Sequence, residues 1–163
     1  MAVVDLFELP MALSGGQRLA GVDHGQRTIG LAISDSLLMI ATPAMTLQKS
    51  KFTRDAQALF GWMAEREVAG LVVGLPVNMD GSEGPRSQSV RAFVRHLMRL
   101  KDVPAAFWDE RLSTAAVNRA MIEEADLSRA RRAARVDRAA AAWILQGALD
   151  RLRAAPPDPT TAL

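Results

Sequence analysis

The stretch R-L-A-G-V-D-H-G-Q-R-T-I-G-L-A-I-S, residues 18–34, decides how the chain folds. Residues 18–23 form a short apolar run, and residues 28–34 follow with β-type side chains at alternate positions. His24, Gly25 and Gln26 make a tight turn between them. The stretch therefore predicts two strands that pair antiparallel, because the connection is too short for a helical crossover.

Outward from this hairpin, extended and helical patterns alternate. A third extended run covers residues 40–47, where Pro43 indicates an edge strand. Helical spacing predicts helices at 51–66, 85–101, 113–124 and 136–153, and apolar runs predict strands at 69–75 and 103–108. Two strand–helix–strand crossovers imply parallel pairing for the later strands. We therefore predict an α/β fold with a mixed five-stranded sheet, three antiparallel strands then two parallel, and helices on both faces.

Length and composition narrow the class of protein. The 163 residues fit one domain, predicted as a loose arm at 1–16, a folded domain at 17–153 and a flexible Pro-rich tail at 154–163. The absence of Cys excludes disulfides, thiol catalysis and Cys-ligated metals, and two His are too few for a His-rich metal site. No apolar run approaches the ~20 residues of a membrane span. Since no signal-peptide pattern is visible either, we expect a soluble cytoplasmic protein.

Positive charge is concentrated in the second half of the chain. Residues 86–153 contain fourteen Lys and Arg against eight Asp and Glu, a balance of +6, whereas residues 1–85 contain six against nine, a balance of −3. This distribution favours a phosphate-bearing partner. With five Phe, three Trp and no Tyr, we expect no aromatic platform on which single strands would stack.

Two acidic positions follow predicted strands. Asp23 ends a strand beside a tight turn, at the kind of sheet edge where open α/β sheets place their sites, although Asp also often hydrogen-bonds its own turn. Asp109 and Glu110 close a later strand. Adjacent carboxylates repel unless a cation neutralises them, which suggests a divalent-metal ligand. The alternative is a solvated loop in which both carboxylates pair with Arg111.

Asp137 is the third acidic position. If the last helix already runs through it, Asp137 shares a stripe with Ala141, Ile144 and Ala148, and a carboxylate on an apolar stripe needs a partner or a metal. Alternatively, Asp137 is the N-cap of a helix that begins at Arg138. Three carboxylates gathered at the strand edges would suit one or two Mg²⁺-like ions, which prefer oxygen ligands and can activate water for phosphodiester cleavage.

Four segments in order carry a resemblance to a known family. They are G-V-D-H-G-Q-R-T-I-G-L-A-I-S-D (21–35), V-V-G-L-P-V-N-M-D-G-S-E-G-P-R (72–86), D-E-R-L-S-T (109–114) and V-D-R-A-A-A-A-W-I-L-Q (136–146). Over residues 18–152 the chain resembles the YqgF/RuvX family of pre-16S rRNA nucleases, also described as Holliday-junction-resolvase-like. The resemblance implies a ribonuclease H-like fold and an acidic site for Mg²⁺ or Mn²⁺ made by Asp23, Glu110 and Asp137. Asp109 is a further candidate ligand.

Other residues are candidates for contact with nucleic acid. Asn78 lies in a Gly-rich loop and is a candidate for orienting substrate or water, the alternative being a turn without function. The helix N-terminus after Pro85 offers free N–H groups to a phosphate. Basic residues predicted to hold the nucleic-acid backbone are Arg86, Arg111, Arg131, Arg132 and Arg135. The chain departs from many relatives at His24 and at Thr28, where a basic residue is common.

A metal-dependent nuclease is the leading functional interpretation. The resemblance implies that its substrate is the 5′ region of the small-subunit rRNA precursor, processed during ribosome biogenesis. A Holliday-junction-type DNA endonuclease and a non-catalytic rRNA-binding assembly factor remain alternatives. An ATP-binding fold of the sugar-kinase and actin kind would need two such domains. Expected partners are pre-rRNA or branched DNA and ribosomal precursor particles, with no membrane, and the protein is expected to be a monomer or homodimer.

Overall fold

Within residues 3–112 and 129–154, which the computed structural model describes, five strands form one sheet. In chain order the strands are β1 (Arg18–His24), β2 (Thr28–Ser34), β3 (Ala41–Gln48), β4 (Val68–Leu75) and β5 (Ala105–Asp109). The α-helices of this part are α1 (Phe52–Glu65), α2 (Pro85–Leu100) and α3 (Arg129–Arg153). Short 3-10 helices cover Leu6–Glu8, Pro10–Ala12 and Glu110–Leu112.

The sheet is mixed, with the strand order β3-β2-β1-β4-β5. β1 pairs antiparallel with β2 and β2 antiparallel with β3, whereas β4 runs parallel to β1 and β5 parallel to β4. The sheet predicted from the sequence is therefore confirmed. Pro43 lies on the edge strand β3, as expected for a residue that cannot donate a backbone hydrogen bond. The helix predicted at 113–124 lies outside the described residues.

Each face of the sheet has its own hydrophobic core, because side chains alternate along every strand. On one face, α1 and α2 cover a core that includes Val22 and Val73. On the other face, α3 covers Leu19 and Val72. Helices thus lie on both faces, as the sequence predicts.

Helix α3 packs very closely on the sheet because glycines stand beneath it. A Cβ added to Gly30 would lie 2.1 Å from the backbone oxygen of Asp137, and one added to Gly21 would lie 2.5 Å from that of Ala141. Real Cβ atoms do not approach backbone so closely, so both positions need glycine. Gly30 pairs directly with Asp23 across β1 and β2. The close approach therefore places Asp137 beside the end of β1.

The segment before β1 was predicted to be a loose arm, and the structure differs. Val4 donates its N–H to the Ala105 oxygen at 2.9 Å, and Asp5 and Glu8 form a capping box around the first 3-10 helix. Leu9 is fully buried in the core beneath α3. Such short turns have no helical or strand period, so the sequence pattern could not reveal them.

No helix among the described residues combines the length and the apolar character needed to cross a membrane.

Candidate active site

Asp23 and Glu110 meet at the edge of the sheet where the parallel strands end. Asp23 is the last residue but one of β1 and faces α3, whereas Glu110 follows β5 directly. Strand β4 lies between β1 and β5. At Gly74 on β4, an added Cβ would lie 2.5 Å from Oε1 of Glu110. The missing side chain at Gly74 therefore leaves the space through which Glu110 reaches Asp23.

The two carboxyl groups share a hydrogen bond that favours the protonated form of Asp23 over that of Glu110. The pKa of Asp23 rises from its ordinary 3.8 to about 7, first because of burial and then because of the negative charges of Glu110 and Asp137. Burial also raises the pKa of Glu110. Arg86 opposes both increases through its positive charge. Among the described residues the charge of Arg86 does not offset these effects in full, so the pair is a partly buried acidic cluster.

Asp137 adds a third carboxylate from α3. Its Oδ2 accepts a short hydrogen bond from the Thr28 hydroxyl, and its charge is near enough to raise the pKa of Asp23. Because α3 begins at Arg129, Asp137 lies inside the helix, and the alternative that it is the N-cap is wrong. In the sequence, Thr28 stands out only because a basic residue is common at this position in relatives. The structure gives its hydroxyl a positioning role at Asp137.

The donor set fits a hard divalent cation. Mg²⁺ and Mn²⁺ prefer carboxylate oxygens, and a cation between Asp23 and Glu110 would relieve the repulsion that raises the pKa of Asp23. Within the described part of the chain, no three His, Cys, Asp or Glu side chains already form a metal cage. Asp23 and Glu110 are in contact, while Asp137 is held by Thr28. The Thr28 hydroxyl engages only Oδ2 of Asp137, so this carboxylate can keep its hydrogen bond and still offer an oxygen to a cation that Asp23 and Glu110 would share.

Asp109 is not brought to this cluster. Its carboxylate accepts hydrogen bonds from the backbone N–H of Arg111 at 3.0 Å and from Nη2 of the same residue at 2.6 Å. These contacts lower the pKa of Asp109. Arg111 also donates through Nη1 to the Met79 oxygen at 3.3 Å. The predicted phosphate contact Arg111 is thus engaged in joining β5 to the neighbouring loop.

That loop, between β4 and α2, is closed by its own polar groups. The Asn78 side chain donates to Oγ of Ser82 at 3.1 Å, and Asp80 accepts from the Ser82 N–H at 2.9 Å. Gly81 adopts a φ of +89°, a left-handed conformation that favours glycine. Asn78 is exposed, and its contact with Ser82 is the one expected of a turn residue.

The predicted arginines fall into two groups. Arg86 lies in the first turn of α2, is exposed, and acts on the charges of both Asp23 and Glu110. Three others lie on α3 before Asp137, and their side chains are outside the described part of the structure: Arg131, Arg132 and Arg135.

Sequence reasoning missed a cluster on the opposite face of the same sheet edge. His24 follows Asp23, is only 8% exposed, and stacks on Phe93 with ring centroids 4.4 Å apart. Burial and the nearby Lys49 charge lower the pKa of His24 to about 4. Lys49 donates from Nζ to the Gly25 oxygen at 3.1 Å. The sequence did contain a signal for this cluster: side chains alternate along a strand, so residues 23 and 24 of β1 lie on opposite faces of the sheet.

Comparison with known proteins connects this geometry to one family. A family model for RuvX, described as Holliday junction resolvase, matches residues 17–151. A protein of Phenylobacterium zucineum named "Putative pre-16S rRNA nuclease" is 60% identical over 154 residues, which cover 94% of this chain and 99% of that protein. A Rhodobacter capsulatus protein of the same name is 62% identical over 134 residues, covering 82% and 84%.

The fold is also found among solved structures. Thermus thermophilus RuvC in complex with a Holliday junction substrate matches with a TM-score of 0.52 and 15% identity, covering 83% of this chain and 96% of that one. A second structure of Thermus thermophilus RuvC gives a TM-score of 0.50 at 13% identity, covering 85% and 96%. At this identity the likeness establishes a common fold.

Proposed function

Because the chain belongs to the RuvX family, described as Holliday junction resolvases, we propose that it is a metal-dependent nuclease that hydrolyses phosphodiester bonds in the 5′ region of the 16S rRNA precursor. The observation that carries the proposal is the contact of Asp23 with Glu110 through the space left by Gly74, with Asp137 beside them. The names of the close relatives support the choice of substrate.

Each residue of the cluster has a specific role in this proposal. Asp23, Glu110 and Asp137 hold Mg²⁺ or Mn²⁺ through carboxylate oxygens. A bound ion of this kind polarises water and offsets the charge that develops on a phosphodiester. Thr28 fixes the Asp137 carboxylate by its hydroxyl, and Arg86 supplies positive charge near Asp23 for the phosphate.

The arginines of α3 extend the contact with nucleic acid. Arg131, Arg132 and Arg135 precede Asp137 on the same helix and would bind backbone phosphates on the way to the metal. Asn78, Asp109 and Arg111 form a supporting group, because their hydrogen bonds fix the loop and strand end beside the cluster. The setting is the cytoplasm, where ribosomal precursor particles are the partners.

Holliday-junction cleavage is a second candidate function, favoured by the description of the family. It would require a homodimer that presents two sites to opposed strands. The same chemistry serves both candidates, so only the substrate separates them.

The test is a cleavage assay with labelled 16S rRNA precursor, single-stranded RNA and a four-way DNA junction, each with Mg²⁺, Mn²⁺ or a chelator. We expect precursor cleavage that the chelator abolishes and that Asp23→Asn and Asp137→Asn reduce to background. Asp150→Asn is the matched control, since Asp150 is exposed near the C-terminal end of α3 and pairs with Arg153 away from the cluster. Binding of the precursor without cleavage would instead indicate a non-catalytic assembly factor, and cleavage of the junction alone would indicate a resolvase.

A further inference from the structure

Two adjoining cavities lie on the face of the sheet opposite Asp23. The first, about 180 Å³, is bounded by the β1–β2 turn and the start of α2. The second, about 260 Å³, lies between the end of β3, the start of α1 and one side of α2. His24, Lys49 and Ser89 line both cavities. The two spaces therefore adjoin at these shared residues, and together they are called the groove here. His24, which lines both, follows Asp23 directly in the sequence.

The first cavity is cationic. Lys49 and Arg86 line it, and none of the described residues that line it is Asp or Glu. The Lys49 ammonium uses one donor on the Gly25 oxygen, so it retains donors for an anion. Hydroxyl and amide groups from Ser89 and Gln26 complete the wall. A phosphate group matches this combination of charge and donors.

The second cavity has aromatic walls. Phe93 lies with its ring centroid 4.4 Å from that of His24 and 5.9 Å from that of Phe52, and His96 lies 5.5 Å from Phe52. Asp55 also lines this space, but its carboxylate accepts three hydrogen bonds from Ser50, from N–H at 3.0 and 3.1 Å and from Oγ at 2.9 Å. A flat ring system would stack on such walls, as nucleobases do on aromatic side chains.

We propose that the two cavities bind one unpaired nucleotide of the RNA substrate, with its phosphate between Lys49 and Arg86 and its base against Phe52 and His96. This inference rests on the proposed nuclease function for its choice of ligand. Arg86 lines the first cavity and also acts on Asp23 and Glu110, so a strand can run from the groove to the metal site. Bases inside a duplex remain stacked and cannot enter. The groove therefore selects for a single-stranded segment beside the cleaved bond.

Binding of a fluorescent single-stranded oligouridylate and of an RNA duplex of equal length, measured by anisotropy without metal, tests the groove. We expect His96→Ala to weaken single-strand binding about tenfold, as loss of a stacking contact does, and to leave duplex binding unchanged. Lys49→Gln should weaken single-strand binding and reduce its salt dependence by about 0.7 in the log–log slope, the value for one phosphate contact.

Matched controls come from residues that line neither cavity. Gln57→Ala on α1 is the control for His96→Ala, and Lys101→Gln at the far end of α2 is the control for Lys49→Gln. Thermal unfolding of each variant establishes that it is folded. Equal single-strand affinity in wild type, His96→Ala and Lys49→Gln overturns the proposal, and so does an equal loss for duplex and single strand.

The outcome for the groove is separable from the outcome for catalysis. Wild-type protein that cleaves precursor while both groove variants bind normally would retain the nuclease function and refute the groove. Wild-type protein that cleaves nothing, while both variants lose single-strand affinity, would retain the groove and refute the nuclease function.

Discussion

Replacing Asp23 by Asn should stabilise the metal-free protein in a pH-dependent way. The pKa of Asp23 rises from 3.8 to about 7 in the folded state, so the folded protein holds this proton more tightly than the unfolded chain does. The contribution of Asp23 to stability is therefore greatest below the unfolded pKa of 3.8 and is lost as the pH rises towards about 7. Asn cannot ionise, so Asp23→Asn removes this loss.

The magnitude follows from the change in pKa. Each pKa unit corresponds to ~1.4 kcal/mol, so the rise from 3.8 to about 7 sets an upper limit of ~4 kcal/mol. Asp23 is only partly buried, and water screens part of the repulsion, so we expect about half of that limit, ~2 kcal/mol. For a chain of this size the variant should melt about 4–8 °C above wild type near neutral pH.

The assay is thermal unfolding in chelator at several values of pH, with wild type, Asp23→Asn and Asp109→Asn side by side. The advantage of Asp23→Asn should shrink towards zero as the pH falls to about 4. Asp109→Asn should behave oppositely, because Arg111 lowers the pKa of Asp109 and stabilises its charged form. Adding Mg²⁺ should then stabilise wild type more than Asp23→Asn. A stability difference that stays constant with pH would refute the reasoning about the buried pair.

Three further predictions concern geometry and binding. Gly74→Ala should reduce cleavage at least ~100-fold, because its Cβ would lie 2.5 Å from Oε1 of Glu110; Gly61→Ala, a helix position with open space around it, should instead stabilise the protein by ~1 kcal/mol without loss of cleavage. Thr28→Val should cost ~1–2 kcal/mol in thermal unfolding and lower cleavage, since Asp137 loses its hydrogen bond; cleavage at the wild-type rate would count against a positioning role. Replacing Arg131, Arg132 and Arg135 of α3 together by Gln should reduce the salt dependence of RNA binding, because fewer counterions are released. An unchanged slope would mean that these arginines do not contact the RNA.

The sheet could be predicted from the sequence because its signals are local. The hairpin at residues 18–34 has a turn between alternating strands, and the buried strand at 69–75 is almost wholly apolar. The observed β2 and β4 reproduce these segments within one residue. Pro43 indicated an edge strand because proline cannot donate a backbone hydrogen bond, and β3 does lie at the edge of the sheet.

The start of α3 could not be predicted in the same way. Residues 129–135 are mostly arginine and alanine and contain no apolar stripe, so the periodic pattern becomes visible only near Val136. The observed helix begins at Arg129. This difference decides the status of Asp137, which is a residue of the helix interior and not a cap.

The site depended on contacts that no local pattern contains. The sequence places Asp109 and Glu110 side by side. In the structure, Glu110 begins the 3-10 helix after β5 and reaches Asp23 through the space at Gly74. The hydroxyl of Thr28 reaches Asp137 across 109 positions of sequence. The rings around the second cavity come from β1, α1 and α2, and the counts of Phe and Trp in the sequence contain no information about such a grouping.

The glycines under α3 fix the distance between this helix and the sheet, because they carry no side chain. Gly21 and Gly30 set how far the helix axis stands from the sheet, and the height of the Asp137 carboxylate above Asp23 follows from that distance. A single methyl group at Gly21 would lift the helix and, with it, the carboxylate, although Gly21 carries no functional group. Selection for catalysis would then also conserve Gly21 and Gly30, although neither has a side chain that could take part in the reaction. Loss of activity without loss of any charged residue is the signature to expect from natural variants in this layer.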